Sequence, residues 1–355
     1  KKLPFLTLPI LKHAINNFGD KTPGPDRISA KMLRHLPEKF LVRILTLITI
    51  SIGLSYTPKC WSRSRVIFIP KPGKRDPANV RSYRPITLSS FIIKLMEKLF
   101  KWDMNSGHYK AHPMHKRQHG FTRGKSVDTA LAETIDCIES ALCTGEYALG
   151  VFFDIKGAFD NLNIQQALNA MKKRKISHKF IRWYEAYLNT RTVKAEMHGI
   201  IRIRKPKRGF PQGGIFSPDF YNISAEEAIK IVNELNDYIK EFSKSSIGVG
   251  FADDTNAILR GPVLSVLFEN MQVILNKIGN WADKYDLEFC PDKTNLAVFT
   301  NSNKKMTYPT LSLKGNQIKE MNHKKGLKYL GVILDRKLSF KLHIDNKIKE
   351  TKSKL

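Results

Sequence analysis

The chain has 355 residues, 42% of them hydrophobic and 10% aromatic, enough to bury a core in more than one subdomain. Lysine and arginine number 60 against 32 acids, a formal charge of +28 spread along the chain, which points to a polyanionic partner, most simply nucleic acid. No apolar run reaches the ~20 residues that span a bilayer. The four cysteines form no C-x-x-C pair, so a disulfide framework and a zinc ribbon are both excluded and a reducing compartment is expected.

The loop KTPGPDRIS, Lys21 to Ser29, feeds a helix carrying Ile28, Met32, Leu33 and Leu36. RVIFIP, Arg65 to Pro70, reads as a strand ending in a lysine-rich turn, and SYRPITL as a second strand. Together they predict a hairpin with Lys71, Lys74, Arg75 and Arg84 near its tip or inner face. A helix follows from about Ser90 to Lys101. HYKAHPMHKRQH then sets His108, His112, His115 and His119 at helix-like intervals, but Pro113 breaks the helix that a metal site there would need. RGKSVDTALAETIDCIESAL is another helix, and YALGVFFDIKGAF is an apolar strand that meets its first charge at Asp154. Asn163 and Gln166 hold capping-box positions on a helix whose Leu168 and Met171 share a face. GFPQGGIFSPDF is a glycine-rich turn, with Ser217 as N-cap and Pro218 as first residue of a long helix. IGVGFADDTNAIL reads as strand, tight turn, strand. A helix from about Val263 to Lys284, the strand TNLAVFT and a hairpin around LKYLGVILDRKLSF complete the order. Strands and helices mix without regular alternation, so the expected class is α+β with an antiparallel sheet. A start at Lys1 without Met, and an end in a charged helical pattern, read as a piece of something longer.

Asp253 and Asp254 sit side by side in a segment that otherwise wants burial. Aspartate is a common turn residue because its side chain caps its own backbone. Two carboxylates ~4 Å apart nevertheless repel by about 4 kcal/mol at an effective dielectric near 20. A bound cation removes that difficulty. Asp154 also interrupts an apolar strand at its end, and if the two strands are neighbours three carboxylates converge at one sheet edge. Hard oxygen ligands without His or Cys suit Mg²⁺ or Mn²⁺ rather than zinc. Two such ions suit an in-line displacement at phosphorus, with basic residues neutralising a triphosphate.

The order of motifs is more specific than the three acids. FFDIKGAFD, GFPQGG, FADD, a lysine-bearing segment and LKYLGV, in that order, resemble the palm of reverse transcriptases. KTPGPDRIS, IPKPGK with SYRPITL, and QHGFTRGKSVDTAL resemble the finger motifs of non-LTR (LINE-type, jockey-like) retrotransposon reverse transcriptases. The resemblance covers about residues 10 to 345. It implies a right-hand polymerase with an antiparallel-sheet palm and fingers, and a thumb largely absent. Residues 1–146 would be fingers and part of the palm, 147–300 the palm's catalytic core, and 301–355 the end of the palm, a primer-grip hairpin and the start of a thumb.

The same resemblance implies roles. Asp154 and Asp253 would be principal ligands of two Mg²⁺ or Mn²⁺ ions, with Asp254 the third acid and the Ile155 carbonyl assisting. Lys293 matches the lysine that protonates pyrophosphate. Lys71 and Arg84 match finger residues that hold triphosphate, with Lys74 competing for the place of Lys71. Phe159 matches the bulky residue that blocks a ribose 2′-OH, and Gln212, with Gly213 and Gly214, would line the nucleotide and template base. Arg123, Phe251, and Tyr329, Leu330 and Gly331 of the primer grip would touch primer and template. The implied partners are an RNA template, a DNA primer or target site and dNTPs, within a larger polyprotein bearing an endonuclease, in a nuclear and cytoplasmic ribonucleoprotein without membrane contact.

Two positions depart from the family pattern: Phe251 stands where many members have Tyr, and Asp219 where an apolar residue is usual. The competing readings are a viral RNA polymerase or an intron maturase, and a domesticated, inactive relic that only binds nucleic acid. The aromatic Phe159 argues against an RNA polymerase, which needs room at the 2′-OH.

Overall fold

The computed structural model describes residues 5–353 apart from 20, 72–75, 77, 80–81, 198, 235–244, 305 and 323. Lys74 and Arg75 lie outside the described residues. The main strands are β1 (Arg63–Pro70), β2 (Tyr83–Ser89), β3 (Tyr147–Asp154), β4 (Thr192–Met197), β5 (Ile200–Arg204), β6 (Ser245–Phe251), β7 (Asp254–Gly261) and β8 (Asn295–Phe299). The chain divides into two compact units, Lys1–Pro113 with Phe159–Tyr221, and Met114–Ala158 with Asn222–Leu355.

The first unit holds a sheet in the order β2-β1-β4-β5. The expected hairpin is there, antiparallel from Ser64↔Ser89 to Pro70↔Tyr83. β2 lies at the sheet edge, where its Pro85 removes no ladder bond that a further strand would need. β1 pairs with β4 in parallel, a departure from an all-antiparallel expectation. Parallel neighbours need a crossover rather than a tight turn, and the long chain path between these two strands supplies one. The helix His178–Thr190, which the sequence reading passed over, puts Phe180, Trp183, Tyr184 and Tyr187 on one face. These rings are buried with Phe100, Phe216 and Phe220. Centroid separations of 4.6 Å for Phe100–Phe180, 4.7 Å for Phe180–Phe216 and 4.7 Å for Tyr184–Phe220 make one aromatic core. Each such pair adds about 0.5–1.5 kcal/mol beyond its burial.

Among the described residues of this unit, Glu97 and Asp219 are buried acids. Glu97 accepts from the Tyr184 hydroxyl at 2.7 Å and from the Ile215 amide at 2.9 Å, tying the aromatic core to the PQGG turn. Burial pushes its carboxyl up, and the two donors oppose that in part. Asp219, the departure noted in the sequence, accepts from Lys101 Nζ at 2.7 Å and from the Tyr109 hydroxyl at 3.2 Å. The local pairing answers the charge. Ser217 is itself the first helical residue of Ser217–Glu234, one place before the expected start, and its hydroxyl donates to the Pro211 carbonyl at 2.8 Å, closing the turn.

The second unit holds a sheet in the order Lys319–Glu320, β8, β3, β7, β6. The helix Val127–Cys143 covers one face over Phe152, Val249, Ile258 and Phe299. The helix Leu264–Lys284 packs on β3 and β7, where Leu149, Val151, Ala257 and Leu259 are buried. The glycines of IGVGF have a steric reason. A Cβ on Gly248 would stand 2.8 Å from Val232 Cβ, and one on Gly250 2.7 Å from Ile229 Cδ1. Val232 and Ile229 belong to the helix Ser217–Glu234, so the glycines let it lie directly on the strand.

Removing Lys101 should leave Asp219 buried without its cation. Lys101→Met is expected to destabilise by about 3 kcal/mol, and Lys101→Met with Asp219→Leu to recover most of that loss. Urea unfolding of both variants checks it, and equal losses would show that the pair is incidental.

Candidate active site

β3 and β7 pair from Tyr147↔Gly261 to Asp154↔Asp254, so the two aspartates are directly opposed at the last rung. Opposed residues of an antiparallel pair point to the same face with Cβ atoms ~5 Å apart. β6 and β7 close with Phe251↔Asp254, leaving Ala252 and Asp253 as a two-residue loop. Ala252 has φ +55, and Asp253 is absent from the positive-φ residues, the sign pattern of a type II′ turn. Such a turn normally takes glycine first, so Ala252 is held in a strained conformation. The adjacent carboxylates are therefore both turn residues and part of a cluster with Asp154.

A second segment meets the end of β3. Cys290 N donates to Asp154 O and Lys156 N to Glu288 O, both at 2.8 Å, around the bridge Ile155↔Phe289. The Ile155 carbonyl takes no part in these two bonds. The segment carries Lys293, whose Nζ lies 3.0 Å and 3.3 Å from the two Asp154 carboxylate oxygens. The buried Thr294 accepts from Asp154 N through its hydroxyl at 3.4 Å. Sequence reasoning passed over Thr294 and Cys290, since a lone threonine and a lone cysteine carry no spacing signal.

Although Asp254 as a whole is exposed, poor hydration of its carboxyl, then the charges of Asp253 and Asp154, push it up to about 6, with Lys293 opposing. Lys293 is held above the usual lysine range, first by its hydrogen bond to Asp154. Among the described residues no three His, Cys, Asp or Glu side chains are close enough to hold an ion as they stand. The donor set still has the chemistry a hard divalent cation takes: oxygen atoms alone, three carboxylates against one ammonium.

The second unit thus brings Asp154, Asp253, Asp254 and Lys293 together. It also holds Phe251 and Leu330, packed against the cluster that buries Tyr329. Leu330 and Gly331 form the two-residue tip between Leu327–Tyr329 and Val332–Leu334, both with positive φ, the sign pattern of a type I′ turn. Arg123 is exposed in the turn before the helix Val127–Cys143. The other named residues belong to the first unit. Gln212 O accepts from Thr87 N at 2.7 Å, setting the PQGG turn on β2, and Gly213 (φ +109) faces Thr87 O. Gln212 Oε1 is buried and has no hydrogen-bond partner among the described residues. Arg84 is exposed on β2, and Lys71 half-buried just past β1. Phe159 is half-buried, its ring 5.2 Å from that of Tyr221.

Residues 69–334 match the family described as Reverse transcriptase (RNA-dependent DNA polymerase), and the chain belongs to that family. It is 28% identical over 328 residues to an RNA-directed DNA polymerase from mobile element jockey of Drosophila melanogaster, covering 92% of this chain and 34% of that protein. It is 27% identical over 344 residues to a probable RNA-directed DNA polymerase from transposon X-element of the same species, covering 96% and 36%. The chain therefore spans about a third of the length of these relatives. A solved apo telomerase from Candida Tropicalis, truncated from its C-terminal domain, aligns at 14% identity and TM-score 0.47 over 74% of this chain and 54% of its own. Among the described residues no helix is long and apolar enough to cross a membrane.

The raised Asp254 carboxyl has a consequence for stability. Folded, it keeps its proton up to about pH 6; unfolded, it releases it near about pH 4. Between these values the folded state binds more protons, so this group's contribution falls as pH rises through that window. Asp254→Asn is therefore expected to raise the Tm in EDTA at about pH 8, with the gain fading toward about pH 4. Calorimetry at both ends checks this, and a gain independent of pH would remove charge as the cause.

Proposed function

We propose that this chain is the RNA-directed DNA polymerase unit of a non-LTR retrotransposon, adding dNTPs to a primer 3′-OH on an RNA template. The observation that carries this is the opposed pair Asp154 and Asp254, with Asp253 in the adjoining loop, at one end of a buried sheet. Membership of the reverse transcriptase family and the +28 charge support it. In the reaction the primer 3′-OH gives up its proton to solvent as its oxygen bonds to the α-phosphorus, the bond from that phosphorus to the bridging oxygen breaks, and pyrophosphate leaves.

Asp154, Asp253 and Asp254, with the Ile155 carbonyl, would hold two Mg²⁺ or Mn²⁺ ions. Bound there, such ions supply positive charge to the attacking and leaving oxygens. Lys293, its proton held firmly beside Asp154, is the donor for pyrophosphate. Lys71 and Arg84 neutralise triphosphate, Gln212 and Gly213 line the nucleotide, and Arg123 and the tip Leu330–Gly331 meet primer and template. The RNA template, the DNA target and a larger polyprotein with an endonuclease are the partners this reading entails, in a nuclear and cytoplasmic ribonucleoprotein.

Asp154→Asn and Asp253→Asn are each expected to lower primer extension on an RNA template by several orders of magnitude while RNA binding stays near wild type. Extension at an undiminished rate in either variant would refute the assignment of the acids. A wild-type protein that binds primer–template but never extends it would instead support the inactive relic.

Phe159, half-buried with its ring 5.2 Å from that of Tyr221, is proposed as the sugar gate. Phe159→Val is expected to raise ribonucleotide relative to deoxynucleotide efficiency by tens of fold, about 2 kcal/mol. Measuring this ratio and the Tm on the same variant is decisive: a lower Tm with an unchanged ratio assigns Phe159 to packing alone.

A further inference from the structure

The segment Arg117–Gly120 runs beside β6, which is the edge strand of its sheet. Gln118 pairs with Gly250 in a parallel bridge. The His119 amide donates to Gly250 O at 2.7 Å, and the Gly250 amide donates to Arg117 O at 3.0 Å. Gln118 and Asn222 are buried, 0% and 2% exposed, and bonded to each other: Gln118 Nε2 donates to Asn222 Oδ1 at 2.8 Å. Asn222 Nδ2 in turn donates to Gly120 O at 2.7 Å. Gly120 then meets the loop itself. A Cβ there would stand 2.2 Å from Ala252 N and 3.0 Å from Phe251 C.

We infer that Gly120, Gln118 and Asn222 are positioning residues that fix the height and angle of the Asp253–Asp254 turn. This rests on the reading of those aspartates as acids of the reaction. Three facts join in it. The two-residue turn carries a non-glycine residue at positive φ, which persists only where surroundings over-determine it. The strand leading into that turn is an edge, whose free backbone groups near the tip are taken by Arg117–Gly120. The contact at the tip is backbone against backbone, so no flexible side chain can yield to an added methyl. Gly120 has no positive φ, so alanine suits its backbone and only the collision opposes it. The Gln118–Asn222 pair, sealed from water, prevents Gly120 from backing away.

The test is single-nucleotide addition by Gly120→Ala and Asn222→Ala, with Gly53→Ala as control because a Cβ at Gly53 meets nothing within 4 Å. Both variants are expected to lower kcat by about 10–100-fold, since a shift near 1 Å at reacting groups has that effect. The Mg²⁺ concentration for half-maximal rate should rise, while KM and the Kd for primer–template stay unchanged. The control should match wild type. Wild-type kcat and Mg²⁺ dependence in both variants, with Asp253→Asn inactive, would overturn the inference. A parallel loss of kcat and primer–template binding would also overturn it, because a merely structural role acts on both. If Asp253→Asn extends primers, the assignment of the acids has failed instead. Should Gly120→Ala not fold, Asn222→Ala, which adds no atoms, decides. Hydrogen exchange on wild type needs no variant: the His119 and Gly250 amides should share one opening free energy, and distinct values would refute the positioning role.

Discussion

The rest of the second unit depends on the register of β3 against β7. With side chains alternating faces, a slip of one residue would carry Asp254 to the opposite face from Asp154. The register is set by the apolar pairs further along, Leu149↔Leu259 and Val151↔Ala257 among them, which are buried. Hydrophobic burial thus enforces an arrangement that electrostatics alone opposes. A fully buried side chain of this size contributes about 1.5–3 kcal/mol, and several of them exceed the repulsion of two carboxylates at a partly hydrated edge. Lys293 reduces that repulsion further by placing an ammonium on Asp154.

The same logic explains where the reactive groups lie. The interiors of β3, β6 and β7 are buried and mostly apolar or glycine, and the polar Ser246 and Asn256 among them are hydrogen-bonded to Val232 O and Thr134 Oγ1. Charge is tolerable only where a strand ends and water or a counter-charge is within reach. Asp154, Asp253 and Asp254 occupy a strand end, a loop and a strand start. In the first unit the PQGG turn is held by comparable means. It hangs from β2 through Thr87 and from the aromatic core through Glu97 and Ile215. A buried carboxyl with two donors is a rigid strut, because losing either donor would leave a buried acceptor unsatisfied.

Much of this was legible in the chain. Element order followed from periodicity and turn residues, and the Asn163 cap, the hairpin of β1 and β2 and the strand ending at Asp154 lie where they were expected. The helix His178–Thr190 was legible too, since Phe180, Trp183, Tyr184 and Tyr187 repeat at helical spacing. Ser217 misled because serine before proline is a common helix start, yet its hydroxyl is engaged by the Pro211 carbonyl. A local rule does not foresee that the same hydroxyl also closes a turn on a carbonyl six residues upstream.

The sequence by itself determined the chemistry available: three carboxylates and a lysine in fixed order, an excess of positive charge, and glycines where backbones must approach. Those are properties of residue type and spacing, which the chain carries before it folds. Only the tertiary structure decided that Asp154 opposes Asp254, that Lys293 reaches Asp154 from 139 residues away, that Asp219 is answered by Lys101 and Tyr109, and that Gly120 lies under the Asp253 turn. Each of these joins residues distant along the chain, and such contacts are chosen by the collective packing of strands and helices, which no local stretch of sequence contains.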